Sequence, residues 1–375
     1  MGLETSYHSL RSLSRWVQLS LVASLLQIFF ICTLEAIVFR GVLSDRQVIK
    51  TLIDELPRLP TATKNSTQFM HLDKVDRSRS YHDALPVYFG LFFFAQIFQF
   101  VLCCDAARNQ NTIQILVLAF FNFLLLLYAC VQLSQNYKAN SFFSEVAKYY
   151  NLSFEISTDN IPLEISIIII LILFATSFAY IAYKLYQEYG WNIYKRIGAD
   201  LQMRRRFTIY HIFVMVMKFD ILLFISFSTQ YIFLVIYPFS GFGQMFFIHL
   251  ILSILICIVM SILAFWSVKT ENNKGIILFA LGCFGVMCYF ISKLVAIHIP
   301  CTPPICVDRF ASSRIFLTVF TCLCIFFSIS TIIGSLLCYK NFGKGLKNLI
   351  NDNVSTRTVS EDRANLRNNN RWSLD

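Results

Sequence analysis

Eight separate apolar segments, at 17–39, 85–104, 112–133, 164–183, 211–237, 245–267, 275–297 and 315–338, dominate this chain. Each runs for about 20 residues or more, enough at about 1.5 Å rise per residue to cross a hydrocarbon core about 30 Å thick. A soluble core accounts for one or two such runs but not for eight separated by polar stretches. With 56% hydrophobic and only 14% charged residues, the composition also excludes a soluble globular domain. The fold class is all-α: a polytopic membrane helical bundle of about eight transmembrane helices, with cytosolic N- and C-termini. Phe is unusually frequent, at 38 residues. Runs such as Phe92-Phe93-Phe94 are packing material against lipid and neighbouring helices rather than a cofactor box.

The formal charge of +10 does not point to nucleic acid, because much of it flanks the apolar segments and reports orientation and attraction to anionic headgroups. Arg11 and Arg15 precede a first run too long for a signal-peptide core and without a small-residue cleavage site, so it reads as an uncleaved signal anchor. Met1-Gly2-Leu3-Glu4-Thr5-Ser6 matches a myristoylation pattern, which short sequences also match by chance. With a cytosolic start, Arg108, Lys184, Lys195, Arg196, Arg204, Arg205, Arg206, Lys269 and Lys274 all fall on the cytosolic side, and 238–244 carries no cation. The resulting division is a cytosolic N-terminus 1–16, a transmembrane bundle 17–338 and a disordered, Asn- and Arg-rich cytosolic tail 339–375. Within the bundle a long lumenal loop spans 40–84 and a cytosolic motif loop spans 184–210.

Two further features fit that topology. The glycosylation sequons at Asn65 and Asn151 both fall on the lumenal side, while a third at Asn353 falls in the tail and is expected to stay unused. Cys301 and Cys306, separated by two prolines, form the one pair in the oxidising compartment and are expected to form a disulfide, set against two unpaired thiols. The other ten cysteines read as small apolar fillers, with Cys103, Cys104 and Cys338 placed where palmitoylation occurs.

The most distinctive stretch is 189–200, Tyr-Gly-Trp-Asn-Ile-Tyr-Lys-Arg-Ile-Gly-Ala-Asp, followed by Arg204-Arg205-Arg206, Lys218-Phe219-Asp220 and Gln230. It resembles an uncharacterised family of fungal Golgi-apparatus multi-pass membrane proteins, which pairs a Gly-Trp…Tyr-Lys…Ile-Gly-Ala-Asp motif with a Lys-Phe-Asp helix. The match covers about 189–230, and Tyr210-His211 stands where the family carries an aromatic-Gln pair. The resemblance implies a Golgi membrane location and offers no mechanism. Read physically, Gly190, Trp191, Tyr194, Lys195, Arg196, Gly198, Asp200, Arg204, Arg205 and Arg206 form an interfacial motif. Aromatic rings and cations at headgroup depth either grip anionic lipid or simply anchor the span, and the second reading needs no specific lipid.

Glu35, Lys218, Asp220, Gln230, His249 and Lys293 fall inside predicted spans. A charge at the bilayer centre costs at least about 2.5–3.5 kcal/mol, so such residues face the bundle interior and find partners. Lys218 and Asp220, two apart on a helix, point in different directions. Glu35 and Lys293 share a depth and differ in sign, which predicts an interhelical salt bridge. No phosphate loop, dinucleotide fingerprint, metalloprotease helix or nucleophile elbow is present, so the chain carries no cofactor, metal or catalytic signal. The lipid bilayer is the one partner the sequence names. The first functional reading is a non-enzymatic organiser or trafficking-associated component of endomembranes. The alternative is a transporter or lipid-handling protein with a polar intramembrane path; a receptor ranks below both.

Overall fold

The computed structural model describes residues 14–55, 66–109, 112–149, 160–197, 201–299, 310 and 313–344. Asn65, Asn151, Cys301, Cys306, Gly198 and Asp200 lie outside the described residues. Among the described residues, eight long helices make up the fold: α1 Arg15–Glu55, α2 Ser66–Asn109, α3 Thr112–Tyr149, α4 Asn160–Ile197, α5 Leu201–Tyr231, α6 Gln244–Thr270, α7 Asn273–His298 and α8 Arg314–Asn341. A π-helical turn, Ile232–Ile236, and a single helical turn, Tyr237–Ser240, extend α5. Each of the eight contains a stretch long and apolar enough to cross a membrane. Hydrocarbon offers no hydrogen bonds, so each backbone N–H and C=O in such a stretch must be satisfied within its own segment, which only a helix does locally.

The helices overrun the apolar segments that seed them. α1 has 41 residues and α2 has 44, about 60 Å or more at 1.5 Å per residue, roughly twice a hydrocarbon core. Much of the segment read as the loop 40–84 is therefore helical, at 40–55 and 66–84, and α4 runs on to Ile197. Gly190 accordingly lies inside a helix rather than at a turn. The turn between α6 and α7 is tight and built from local chemistry. Glu271 adopts a left-handed φ of 53° that closes α6, and the Asn272 side chain accepts the backbone N–H groups of Lys274 (3.0 Å) and Gly275 (3.3 Å).

α1 to α4 close into one ring, in which α1 packs on α2 and α4, and α3 packs on the same two. α5 to α8 form a second ring, with α8 between α5 and α7, and α6 against α5 and α7. The rings meet through α5, which leans on α2 and α3. Met215, Phe219 and Leu222 of α5 enter the core of the first ring, while Phe213, Met217, Leu223 and Phe227 enter that of the second. Phe219 sits at the junction. Its ring lies 5.8 Å from Phe98 of α2, 5.7 Å from Phe121 of α3 and 5.6 Å from Phe327 of α8, spacings typical of favourable aromatic pairs.

α6 is the outlier. Only 6% of its most apolar window is buried, against 28–44% for the other seven helices. Its buried residues, Phe246, Ala264, Ser267 and Val268, lie toward its two ends, and none between them is buried. The middle of α6 therefore faces mostly outward, with Met260 and Leu263 half-buried against the core of the second ring.

Candidate functional site

Buried polar side chains are distributed along the interior of the first ring, among its apolar core residues. α1 contributes Ser20, Ser24, Gln27, Glu35 and Asp45, all buried. Residues 20 to 45 cover about 38 Å along the helix axis, more than a hydrocarbon core. At the face where α1 begins, the Asp105 carboxylate on α2 accepts from Lys218 of α5, Gln114 of α3 and, at 2.8 Å, Asn109. Further in, Ser24 donates to Gln99 (3.5 Å), Gln99 to Gln27 (3.3 Å) and Gln27 to Gln96 (3.3 Å), an amide ladder between α1 and α2. Deeper still, the Gln132 amide donates to both oxygens of Glu35, at 3.2 and 3.0 Å. Toward the opposite face, Asn136 donates to Glu164 at 2.5 Å, and beyond it Arg46 pairs with Asp83 at 2.7 Å.

Glu35 and Glu164 are the chemically pointed members. Glu35 is 1% exposed and Glu164 4%, and among the described residues neither has a cationic partner. Buried Gln96 Nε2, Gln132 Oε1, Gln135 Nε2, Asn160 Nδ2 and Glu164 Oε2 have no hydrogen-bond partner there either. Polar atoms buried without partners are costly, so a set of them gathered inside one ring calls for an explanation. Gly41 keeps the file narrow: a Cβ there would meet the Asn160 side chain at 2.5 Å, so glycine is what lets α1 approach α4.

The second polar feature lies in the other ring. Asp220, near the middle of the span Gln202–Ile236, accepts a short hydrogen bond from Thr331 of α8. Asp220 also lines a cavity of about 70 Å³ with Ile256, Cys257, Met260 and Ser261 of α6, Cys283 of α7, and Cys324 and Ser328 of α8. Lys218 and Asp220 stand about 200° apart on α5, so one reaches the first ring and the other the second.

The predicted pairing of Glu35 with Lys293 is not formed. Glu35 lies in the first ring, bound to Gln132, whereas Lys293 on α7 donates to the Tyr231 hydroxyl at 3.0 Å. Its ammonium also lies 4.4 Å from the Tyr231 ring centre and 5.2 Å from that of Tyr289. Equal depth did not bring them together, because the two helices belong to different rings. His249 of α6 lies against the Tyr231 ring. Gln230 is fully buried, with neither amide atom bonded among the described residues. In the interfacial motif, Trp191, Arg204 and Arg205 are exposed and Arg206 donates to the Lys344 carbonyl at 2.9 Å. Tyr194, Lys195 and Arg196 lie on α4, and their side chains are not among those described.

Sequence reasoning missed the amide file, Asp105 and Glu164. Asp105 and Glu164 stood at span edges, where a charge costs little. The usable signal was spacing: Gln96 with Gln99, and Gln132 with Gln135 and Asn136, repeat at three or four residues within or just past apolar runs, which puts each set on one helix face.

No protein-family model matches the chain, and no solved structure matches it. A UPF0658 Golgi apparatus membrane protein of Schizosaccharomyces pombe is 28% identical over 286 residues, covering 71% of this chain and 78% of that protein. The chain is thus a multi-pass membrane protein homologous to a UPF0658 Golgi apparatus membrane protein, as its Gly-Trp and Lys-Phe-Asp motifs imply.

Proposed function

We propose that this protein moves a small cation, the proton included, across Golgi membranes through the polar interior of its first ring. The observation that carries the reading is the file of buried amides and acids. Two carboxylates lie in that file with amide partners alone. A carboxylate in a low-dielectric interior needs compensation, and a bound proton or cation supplies it. The amides of Gln27, Gln96, Gln99, Gln132 and Asn136 offer both donors and acceptors along the route, as a solvating lining does. The face where α1 begins is the cytosolic one in this reading, supported by the cations of Arg204, Arg205, Lys269 and Lys274 at that face. Glycosidase-sensitive shifts lost in Asn65→Gln and Asn151→Gln but not in Asn353→Gln test the orientation. A shift lost in Asn353→Gln reverses it.

The function is tested with purified protein in liposomes under imposed gradients. A pH-sensitive dye reports protons, and potassium- or sodium-loaded vesicles distinguish alkali cations. Wild type is expected to dissipate one of these gradients, and Glu35→Gln and Glu164→Gln to slow it about tenfold or more, the scale of one charged hydrogen-bond partner. Vesicles that hold every gradient with wild type refute the proposal.

A second reading, a non-enzymatic organiser of Golgi membranes, is favoured by the outer face of α4. Tyr180, Tyr183, Tyr186 and Trp191 are all exposed there, and the Lys184 ammonium lies over the Tyr180 and Tyr183 rings. In that case Glu35→Gln leaves resident Golgi proteins in place, while Tyr183→Ala with Trp191→Ala displaces them.

A further inference from the structure

We propose that the cavity beside Asp220 binds the head of a single-tailed membrane amphiphile bearing a primary amine, its tail lying along the lipid-facing side of α6. The proposal rests on the second ring alone and is independent of cation passage through the first.

Four features of the site fix the class of ligand. Its position is mid-membrane: Asp220, Cys257, Cys283 and Ser328 all fall near the middle of their helices. A ligand there arrives through the hydrocarbon. The second feature is the packing of α6, whose stretch between Phe246 and Ala264 holds no fully buried residue yet supplies Ile256, Cys257, Met260 and Ser261 to the cavity. That light packing gives a tail a lateral exit alongside α6 without unfolding a helix.

Size is the third. About 70 Å³ takes roughly five water-sized groups, enough for an ammonium head and its first carbons but not a phospholipid headgroup with two chains. The fourth is charge. Asp220 is the one charged side chain in the lining, and Thr331 is its hydrogen-bond donor among the described residues. Lys218, the nearest cation along α5, is held by Asp105 in the other ring. An ammonium compensates the carboxylate and donates hydrogen bonds at once, whereas a hydroxyl donates without compensating. The remaining lining, including Ile221, Phe224, Phe279 and Phe290, suits methylene groups.

The test uses the full-length protein in nanodiscs of zwitterionic lipid, with a photoreactive, clickable long-chain primary amine as probe. Labelling is expected to saturate, to map to peptides of α6 and α7, and to be competed by an unlabelled long-chain amine but not by the alcohol of equal length. Asp220→Asn is expected to weaken it by about tenfold or more. Ser261→Phe, which fills the cavity from the loosely packed helix and leaves the carboxylate in place, should do the same, and Cys288→Ser on the exposed side of α7 should not. If Asp220→Asn fails to fold, Ser261→Phe alone decides. Labelling that does not saturate, that survives Ser261→Phe in folded protein, or that the alcohol competes equally, overturns the proposal.

Discussion

The ion pair between Lys218 and Asp105 ties α5 to the first ring, and its two halves are not equivalent. Asp105 is held three times, by Lys218, Gln114 and Asn109, whereas Lys218 is held by Asp105 alone among the described residues. Their side chains are 19% and 32% exposed, so the pair is shielded from solvent but not sealed. Lys218→Met removes one donor and leaves the carboxylate with two amide hydrogen bonds, a cost of about 1 kcal/mol. Asp105→Asn leaves an ammonium in a largely apolar site without its anion and turns one amide hydrogen bond into a clash of donors, a cost of about 3 kcal/mol. At about 1.5 °C per kcal/mol for a bundle as long as 17–338, the expected losses are about 1.5 °C and about 4–5 °C. The double variant removes both charges and should recover a few degrees over Asp105→Asn alone. Thermal unfolding of detergent-solubilised protein, followed by a thiol-reactive dye that reads the buried Cys103, Cys283, Cys324 and Cys338, measures all three. If Lys218→Met is the worse single change, or the double variant shows no recovery, Asp105 is not the anchor described here.

Three further outcomes follow from the packing. Phe219→Ala should cost about 3 kcal/mol, the scale of a buried ring removed without collapse, and Phe219→Leu clearly less, in the same unfolding assay; equal losses would show that the aromatic junction is not specific. Gly41→Leu should push the Asn160 side chain away and cost about 1–3 kcal/mol. In liposomes it should slow cation flux as Glu164→Gln does, since Asn160 and Glu164 lie one turn apart on α4. Asn272→Ala removes the cap of α7 and should cost about 1 kcal/mol, whereas Asn272→Ser should restore most of it.

Eight apolar runs made the helices and their number legible, because hydrophobic length is set by the bilayer and is written directly in the sequence. Neighbourhood was not. Nothing in the run 17–39 says that it closes a ring with 164–183 rather than packing on 275–297, and the pairing of Glu35 with Lys293 failed on that point. Depth can be counted along a chain; lateral position in the membrane cannot. The same limit hid Asp105, whose importance comes from a lysine 113 residues away, and the Asp220 cavity, whose lining is drawn from α5, α6, α7 and α8. The amide file was different. Its spacing was readable, but a neutral amide costs less to bury than a charge, so isolated Gln and Asn in apolar runs are the weaker signal.

The Lys-Phe-Asp triplet shows how local sequence and ring architecture meet. Successive residues on a helix turn through about 100°, so three in a row cover more than half the circumference of α5. A helix buried inside one ring has no use for such a triplet, since at least one member would face lipid. At the contact between two rings every direction is occupied, and each residue finds a different partner. Lys218 reaches Asp105 in the first ring, Phe219 meets Phe98, Phe121 and Phe327 where the rings join, and Asp220 takes Thr331 in the second. Cation, ring and anion therefore register α5 against both bundles at one level. A change in the angle between the rings is expected to move these contacts together, which would couple the first ring to the Asp220 cavity. A cysteine crosslink between α2 and α5 that fixes the angle should alter amine labelling at Asp220 while leaving every lining residue in place; labelling unchanged by the crosslink would show that the two rings work independently.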